Sequence, residues 1–550
     1  MNTSSSTLSS TENLRIKVHH YASAPVTCKY IITCICISIF LGLLVRIPYF
    51  IHSDFPLNDG GLFMLMINAI KMNNYFLPEV VHYNGEQIPF AYPPFALYVA
   101  AIISALGFDV IEVIRYLPLV FNILTICAFI LLASKVLNNR YTLLFAAILF
   151  PIIPKSYEWL IMGGGITRSV GFFFTVLSIY IAILISSNLR TIYFVLLIVS
   201  ISIAVLSHPE WGITAILISS LIIFIKANNK VYGIGILAAM GIGTLLLTSP
   251  WWANIILRFG FQPFVAASTS SYWGFADFLR RVIRLEIFTQ TFTIMSWAAV
   301  IGFLYYASKR DWLIPVWLLL VYLTTPRDAP SAATVPYAML SALGVYLIVK
   351  YLASWTLNIL DNSHILVKFS SYLNLSKLIL PAFNIIASIV IVGIFMATLF
   401  FHDSNSLNAL THEERDAMEW IKNNTPHEAS FLVLSPSAYW HDDYVAEWFP
   451  ALSERRSITT VQGLEWVYDE NWHQVVNKVQ MIKSIQAIEL PGDIPHRLYE
   501  YLESKFSNQI NFVSVFLPDA DPAFGGFLSS NMYELIYQRE NVLIFERKTY

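Results

Sequence analysis

A succession of apolar segments, several approaching the roughly 20 residues that cross a bilayer, leaves this chain little choice of fold. They lie at residues 28–51, 116–134, 141–153, 169–185, 192–206, 212–225, 232–247, 292–307, 312–325, 332–349 and 379–401. Only 13% of the 550 residues are charged, about half the usual share of roughly 25%, and mean hydropathy is +0.59. The chain therefore reads as a polytopic α-helical membrane protein, with membrane lipids as its surroundings. Its net charge of −2 argues against nucleic acid as a partner. The first apolar segment is too long for a signal-peptide core and lacks a convincing cleavage site, so it is expected to remain as a membrane helix. Cys28, Cys34, Cys36 and Cys127 fall in or beside apolar segments, and no disulfide framework or zinc spacing is expected.

Charge sets the orientation. If the loop around Asp59 lies outside and segment 92–106 dips into the membrane without crossing, then Lys29, Lys135, Arg140, Arg190, Lys226, Lys230, Lys309, Arg310 and Lys350 all fall at cytoplasmic ends. The apolar part of that segment would reach only about 20 Å as a helix, against a core of about 30 Å, so the dipping reading is adopted. About eleven spans follow. The expected domains are a disordered cytoplasmic tail over 1–26, a membrane domain over 27–402 with an outside loop at 52–115, and a C-terminal extracytoplasmic α/β domain over 403–550. Arg258, Arg280, Arg281 and Arg284 fall outside against the charge rule, which suits either anionic headgroups and phosphate or interfacial amphipathic helices.

The C-terminal region has soluble composition. Thr411-His412-Glu413-Glu414 reads as a capping box with Glu414 at N3, opening a helix through Asn423. Strands are expected at 431–434, 458–461, 485–490 and 512–516, a closing hairpin at 533–537 and 542–546, and a helix at 495–506. His441-Asp442-Asp443 reads as a solvated loop before a cation site. Of the Asn-x-Ser/Thr acceptors at Asn2, Asn374 and Asn423, the topology puts only Asn423 outside.

The strongest functional signal runs from Ser53 to Leu106. Ser53-Asp54-Phe55-Pro56-Leu57-Asn58-Asp59-Gly60-Gly61 leaves the first span, an amphipathic run leads to Met72, and Tyr92-Pro93-Pro94-Phe95 precedes the dipping segment. A carboxylate fixed at the outer membrane surface suits chemistry on a lipid-borne substrate. As general base, Asp59 would take the proton from an acceptor hydroxyl attacking the anomeric carbon of a lipid-phosphate sugar, an effect worth roughly 10² to 10⁴-fold. Asp54 is the competing carboxylate, and Asn58-Asp59 also reads simply as a cap on a helix starting at Gly60.

A departing phosphate needs cations rather than a second acid, and Arg327, Arg168 and Arg258 are the candidates. Arg327 beside Asp328 suits a forked phosphate clamp or a plain ion pair. Glu158 and Arg168 flank Gly163-Gly164-Gly165, glycines that admit a ligand or a neighbouring helix at close range. His208-Pro209-Glu210-Trp211 suits either an acceptor side or a turn between spans. Glu158, His208, Glu210 and Tyr92 are the candidates for holding acceptor or sugar.

This pattern resembles the GT-C class of integral-membrane glycosyltransferases, in the branch of dolichyl-phosphate-mannose protein mannosyltransferases and bacterial lipid A aminoarabinose transferases. The likeness rests on Asp59 in the first outside loop, Gly61-Leu62-Phe63 running into Ile67-Asn68-Ala69, and Tyr92-Pro93-Pro94-Phe95. It covers roughly residues 41–206 and is architectural beyond them. The resemblance implies a GT-C-like fold, Asp59 as catalytic base, a polyprenyl-phosphate sugar as donor with no cofactor, and inverting transfer to a glycan, lipid or protein. Two positions depart from it. Gly60 stands where many members carry a second acidic residue, and Phe90-Ala91 stands where some carry a phosphate-holding lysine, so that task passes to one of the arginines. The oligosaccharyltransferase branch uses a metal and several acidic loop residues, too few of which occur here to propose a metal site. A transporter or flippase for a lipid-linked or amphipathic solute is the competing class, and a non-catalytic scaffold of the same fold is the third. Nearly charge-free span middles and the lack of an internal repeat favour surface chemistry over translocation.

Overall fold

The computed structural model describes residues 25–548 except 138, 188–189, 228, 271–274, 284–287, 289–292, 326, 363–392, 394–406, 469–471, 489–509 and 517–532. Helix α1 (Cys28–His52) begins at Thr27, whose hydroxyl accepts from the Tyr30 N–H. The expected outside loop is itself structured, as α2 (Gly61–Met72), the hairpin β1 (Val80–Tyr83) and β2 (Glu86–Pro89), and α3 (Phe95–Ala105). The hairpin turns on Asn84-Gly85, with φ of 54° and 78°, the dipeptide that two-residue hairpin turns favour. Helix α3 has 11 residues, about 16 Å, too short to cross a core of about 30 Å.

The chain continues through α4 (Val110–Val136), α5 (Arg140–Ile152), the short α6 (Glu158–Ile161), α7 (Gly165–Ser187), α8 (Thr191–Ser207), α9 (Pro209–Lys226) and α10 (Lys230–Phe259). Then come α11 (Gln262–Ser270), α12 (Phe275–Ile283), α13 (Thr293–Ser308), α14 (Leu313–Thr324), α15 (Ala329–Ala332) and α16 (Thr334–Asn362). Six helices, α1, α4, α7, α9, α10 and α16, are long and apolar enough to cross a membrane, and α5 with residues 154–161 forms a further candidate bent by 80°. Helices α8, α13 and α14 are shorter and apolar. Helices thus occupy every expected span but 379–401, which lies outside the described residues, as do the tail over 1–24 and Arg284. The protein is an integral, multi-pass membrane protein.

One charge sits inside α1. Arg46 is fully buried, a costly placement unless every donor is used. It donates to Asn122 Oδ1 (2.6 Å), Gly42 O (2.9 Å) and Pro151 O (2.8 Å) and lies 4.6 Å over the Tyr157 ring. These bonds tie α1 to α4 and to the end of α5, which leads through α6 to the glycine turn at 163–165.

The C-terminal α/β domain opens with α17 (His412–Asn424), and both halves of the expected capping box form: the Glu414 N–H donates to Thr411 Oγ1 and the Thr411 N–H to Glu414 Oε2. The sheet runs β4-β3-β5-β7-β6. Strand β3 (Ser430–Leu434) lies parallel to β4 (Arg456–Ser457) and β5 (Phe512–Phe516), and β7 (Val542–Arg547) lies antiparallel to β5 and β6 (Tyr533–Arg539). Helices α18 (Tyr444–Ser453), α19 (Glu465–Tyr468) and α20 (Trp472–Ile488) complete it.

Three expectations are corrected. Strand β4 ends at Ser457, because Thr459 and Thr460 turn their hydroxyls onto Val433 O and Ala446 O and leave the ladder. The strand expected over 485–490 is helix through Ile488, since Val476, Val479, Ile482 and Lys483 are buried at helical spacing along α20. Asp443 is no solvated loop residue: it is buried, accepts from the Ala446 N–H (3.0 Å) to cap α18, and pairs with the buried Lys483. His441 pairs only loosely with Asp442, at 3.6 Å. Asn423 lies exposed within α17, while Asn2, Asn374 and the helix expected at 495–506 lie outside the described residues.

Burial pushes the Glu414 carboxyl from 4.5 up to about 7, against the Thr411 bonds. The folded chain then holds a proton that the unfolded chain has lost, so the stabilisation is complete below pH 4.5 and is lost as pH rises through about 7. About 3 kcal/mol is involved. Glu414→Gln keeps the capping box and is expected to flatten the fall in thermal stability of the full chain between pH 4.5 and 7. A decline as steep as in the native protein would refute this.

Candidate active site

Between α1 and α2 the chain turns through Asn58 and Gly60, both at positive φ (53° and 141°). Three bonds hold this loop from outside: the Asn58 N–H donates to Asn408 O (2.6 Å), the Gly163 N–H to Leu57 O (2.8 Å), and Trp448 Nε1 to Asn58 O (2.9 Å). The Asp59 carboxylate accepts from the Gly164 N–H (2.7 Å) and from Arg168 Nη2 (3.0 and 3.3 Å). Arg168 in turn lies 3.9 Å over the Trp159 ring. The Asp59 side chain stays 19% exposed while that of Arg168 is 6% exposed. The carboxylate is thus oriented from behind and open on one edge.

The glycine turn exists for this contact. A Cβ on Gly163 would lie 1.8 Å from Asp59 O, and one on Gly164 would lie 2.3 Å from Asp59 Oδ2. At 163 and 164 the close neighbour is neither of the two expected, a ligand or a packed helix, but the Asp59 loop.

Neither Asn58 nor Asp59 caps α2. That helix begins at Gly61, and its first donors are met by Glu447 from α18: Gly60 N–H (2.8 Å) and Gly61 N–H (3.2 Å) to Oε2, and Leu62 N–H (3.4 Å) to Oε1. Tyr83 Oη donates to the Glu447 carbonyl (2.6 Å). Burial, then the negative charge of Asp59, push the Glu447 carboxyl upward against these three donations.

A second polar group adjoins the first. Tyr92 Oη contacts Thr167 Oγ1 (3.2 Å), one residue before Arg168, and its ring meets Phe63 (5.1 Å) and His208 (6.5 Å) edge-on. His208, between α8 and α9, places Nδ1 3.3 Å from Asp328 Oδ2. The Asp328 N–H donates to Glu210 Oε2 (3.2 Å). Burial lowers the His208 pKa to about 4 in spite of Asp328, so the imidazole is neutral near pH 7. Arg327 is exposed, within electrostatic reach of Asp328, Glu210, Tyr92 and Glu465.

Asp59, Arg168, Tyr92, His208, Glu210 and Arg327 therefore gather in one region. The remaining candidates have other partners. Asp54 is 59% exposed and pairs with Arg415 (2.7 Å). Arg258 donates to the carbonyls of Leu77 (3.3 Å) and Pro78 (3.0 Å). Glu158 is buried and pairs with Lys155 (3.2 Å). Sequence reasoning missed Glu447, 387 residues from Gly60, and Trp159 beneath Arg168; no local pattern marks either. Among the described residues, no group of three His, Cys, Asp or Glu side chains is placed to hold a metal ion.

The close approach at 163 has a direct consequence. Gly163→Ala must displace the Asp59 backbone and is expected to lower stability by about 1–3 kcal/mol. Gly241→Ala, whose Cβ meets nothing within 4 Å, is expected to be neutral or stabilising by up to about 1 kcal/mol. Thermal unfolding in detergent compares the two, and equal values would count against the contact.

No family model matches this chain, and no curated protein matches it. Solved structures do. ArnT from Cupriavidus metallidurans in the apo state aligns over 92% of this chain and 97% of its own, with a TM-score of 0.52 at 12% identity. The Archaeoglobus fulgidus oligosaccharyltransferase, tethered to an acceptor peptide containing the NVT sequon, aligns over 95% of this chain and 74% of its own, with a TM-score of 0.50 at 13% identity. The chain has a GT-C-like membrane fold followed by an α/β domain.

Proposed function

We propose that this protein is a membrane glycosyltransferase that moves a sugar from a polyprenyl-phosphate donor to a glycan, lipid or protein acceptor outside the cytoplasm. The observation that carries this reading is Asp59: a carboxylate in the loop after the first membrane helix, held by the Gly164 N–H and Arg168 and left partly open, in the region that Tyr92 shares with the exposed Arg327. The fold shared with ArnT and an oligosaccharyltransferase supports the same class. The N-terminus is cytoplasmic and the soluble domain extracytoplasmic in this reading, following the charge pattern.

Asp59 takes the proton of the acceptor hydroxyl as its oxygen bonds to the anomeric carbon. The bond from that carbon to the phosphate oxygen breaks, its electron pair leaves with the polyprenyl phosphate, and the anomeric centre inverts. Arg168 keeps Asp59 aimed. Arg168 is engaged by Asp59 and Arg258 by two carbonyls, so Arg327 is the cation for the donor phosphate. Guanidinium suits that task by its forked geometry. Neutral His208, with Tyr92 and Glu210, faces the sugar or acceptor.

Transfer from a panel of radiolabelled polyprenyl-phosphate monosaccharides tests the reading. Asp59→Asn is expected to fold normally and lose about 10²-fold or more in turnover, and unchanged turnover would remove Asp59 as base. Arg327→Ala is expected to weaken donor use more than acceptor use; equal effects on both would count against a phosphate clamp.

A further inference from the structure

We propose that Glu447 is a positioning residue that keeps Asp59 out of the helix cap: the soluble domain supplies the cap for α2, leaving the Asp59 carboxylate to Gly164, Arg168 and the substrate. This deepens the reading of Asp59 as base and rests on it.

The argument begins with orphan donors. The first N–H groups of a helix have no partner within it, and Gly60, the N-cap of α2, carries no side chain to meet them. Asp59 stands where it would cap a helix begun one residue earlier. An aspartate at that position accepts from the second or third following N–H, which here are those of Gly61 and Leu62. Those are two of the three donors that Glu447 occupies. Self-capping would rotate the Asp59 carboxylate away from the Gly164 N–H and Arg168 and bury its open edge against its own backbone. The Asp59 carboxylate cannot serve its own helix and the Gly164–Arg168 face at once.

Glu447 is built to hold this post. It is 2% exposed, and its helix is pinned by the Tyr83 hydroxyl on its carbonyl, by Trp448 Nε1 on Asn58 O, and by Asp443, which caps α18 one turn earlier and pairs with buried Lys483. A Cβ on Gly61 would lie 2.9 Å from Glu447 O, and one on Gly60 would lie 2.8 Å from the Trp448 ring. The two glycines that follow Asp59 are therefore the footprint of α18, and the Gly60 that replaces an acidic residue in the family pattern is where Trp448 docks.

The test uses the full chain in lipid nanodiscs and reads hydrogen exchange of the Gly164 amide, which Asp59 alone holds in this contact. Glu447→Ala is expected to speed that exchange about tenfold or more and leave strands β3 and β5 as protected as in the native protein. Turnover is expected to fall about tenfold with the donor KM nearly unchanged, because the base is misaimed and the donor site is intact. Glu447→Gln, whose amide sets a donor against an N–H, is expected to fall between. Asn84→Ala removes the bonds from the hairpin to Ser457 and Thr460 without touching Glu447, and is expected to leave Gly164 exchange at the native rate. Native exchange in Glu447→Ala would overturn the proposal, and so would an equal rise in Asn84→Ala, which would mark docking in general as the cause. If the native protein transfers no sugar from any donor, the glycosyltransferase reading fails while the exchange result still decides the role of Glu447.

Discussion

At the peptide bond joining Asp59 to Gly60, the loop is met by two segments distant in sequence, one on each side of the bond. The Gly163-Gly164 turn presses on the Asp59 carbonyl and carboxylate, Glu447 takes the Gly60 N–H, and Trp448 takes the Asn58 carbonyl. Such an approach is open only to residues without a Cβ, and three of the four backbone positions at the crossing are glycines. Much else follows from it. Arg168 reaches Asp59 because it lies one turn into α7 from the glycine that touches Asp59. Trp159, on the short helix before the turn, is then placed beneath the guanidinium. Arg46 acts further back, fixing Pro151 and Ser156 and through them the approach of the whole turn.

The acidic groups near this crossing are met in different ways. Asp59 has Arg168 and Asp443 has Lys483 as opposite charges, whereas Asp328 faces the neutral His208 and Glu447 takes three backbone N–H groups. The pairs differ in what they leave free. The Lys483–Asp443 pair is closed off entirely and can only be structural. The Asp59–Arg168 pair is closed on the arginine side and open on the carboxylate side, an asymmetry that suits the base proposed above.

The architecture was legible in the sequence where it depends on periodic apolar content and charge, and the contacts between distant segments were not. The spans, the short α3, the capping box at Thr411 and the hairpin at β6 and β7 each follow from a local pattern. The hairpin β1–β2 had a signal that was passed over, Asn84-Gly85 between Val80-Val81-His82-Tyr83 and Glu86-Gln87-Ile88. Residues 485–488 went to a strand because a short apolar run does not distinguish strand from helix; the burial of Lys483 and Ile482 together reveals the helical face. In the site, residue type and loop position were enough to single out Asp59, Arg168, His208 and Arg327. They could not identify Glu447, because a glutamate inside an amphipathic helix looks like any solvated one until the partner helix end is known.

The soluble domain, finally, is joined to the membrane domain by polar contacts too specific for a passive appendage. Asn84, at the tip of the β1–β2 hairpin, both donates to the carbonyls of Ser457 and Thr460 and accepts from the Ser457 N–H. These bonds meet the Ser457 and Thr460 backbone at the point where β4 leaves the sheet. Tyr83, on the same hairpin, reaches the Glu447 carbonyl. Hairpin and C-terminal domain thus meet at two separate points, the Asn84 amide on Ser457 and Thr460 and the Tyr83 hydroxyl on the Glu447 carbonyl. It is the second of these, with Glu447 on the Gly60 and Gly61 N–H groups and Trp448 on Asn58 O, that makes the geometry at Asp59 a property of both domains.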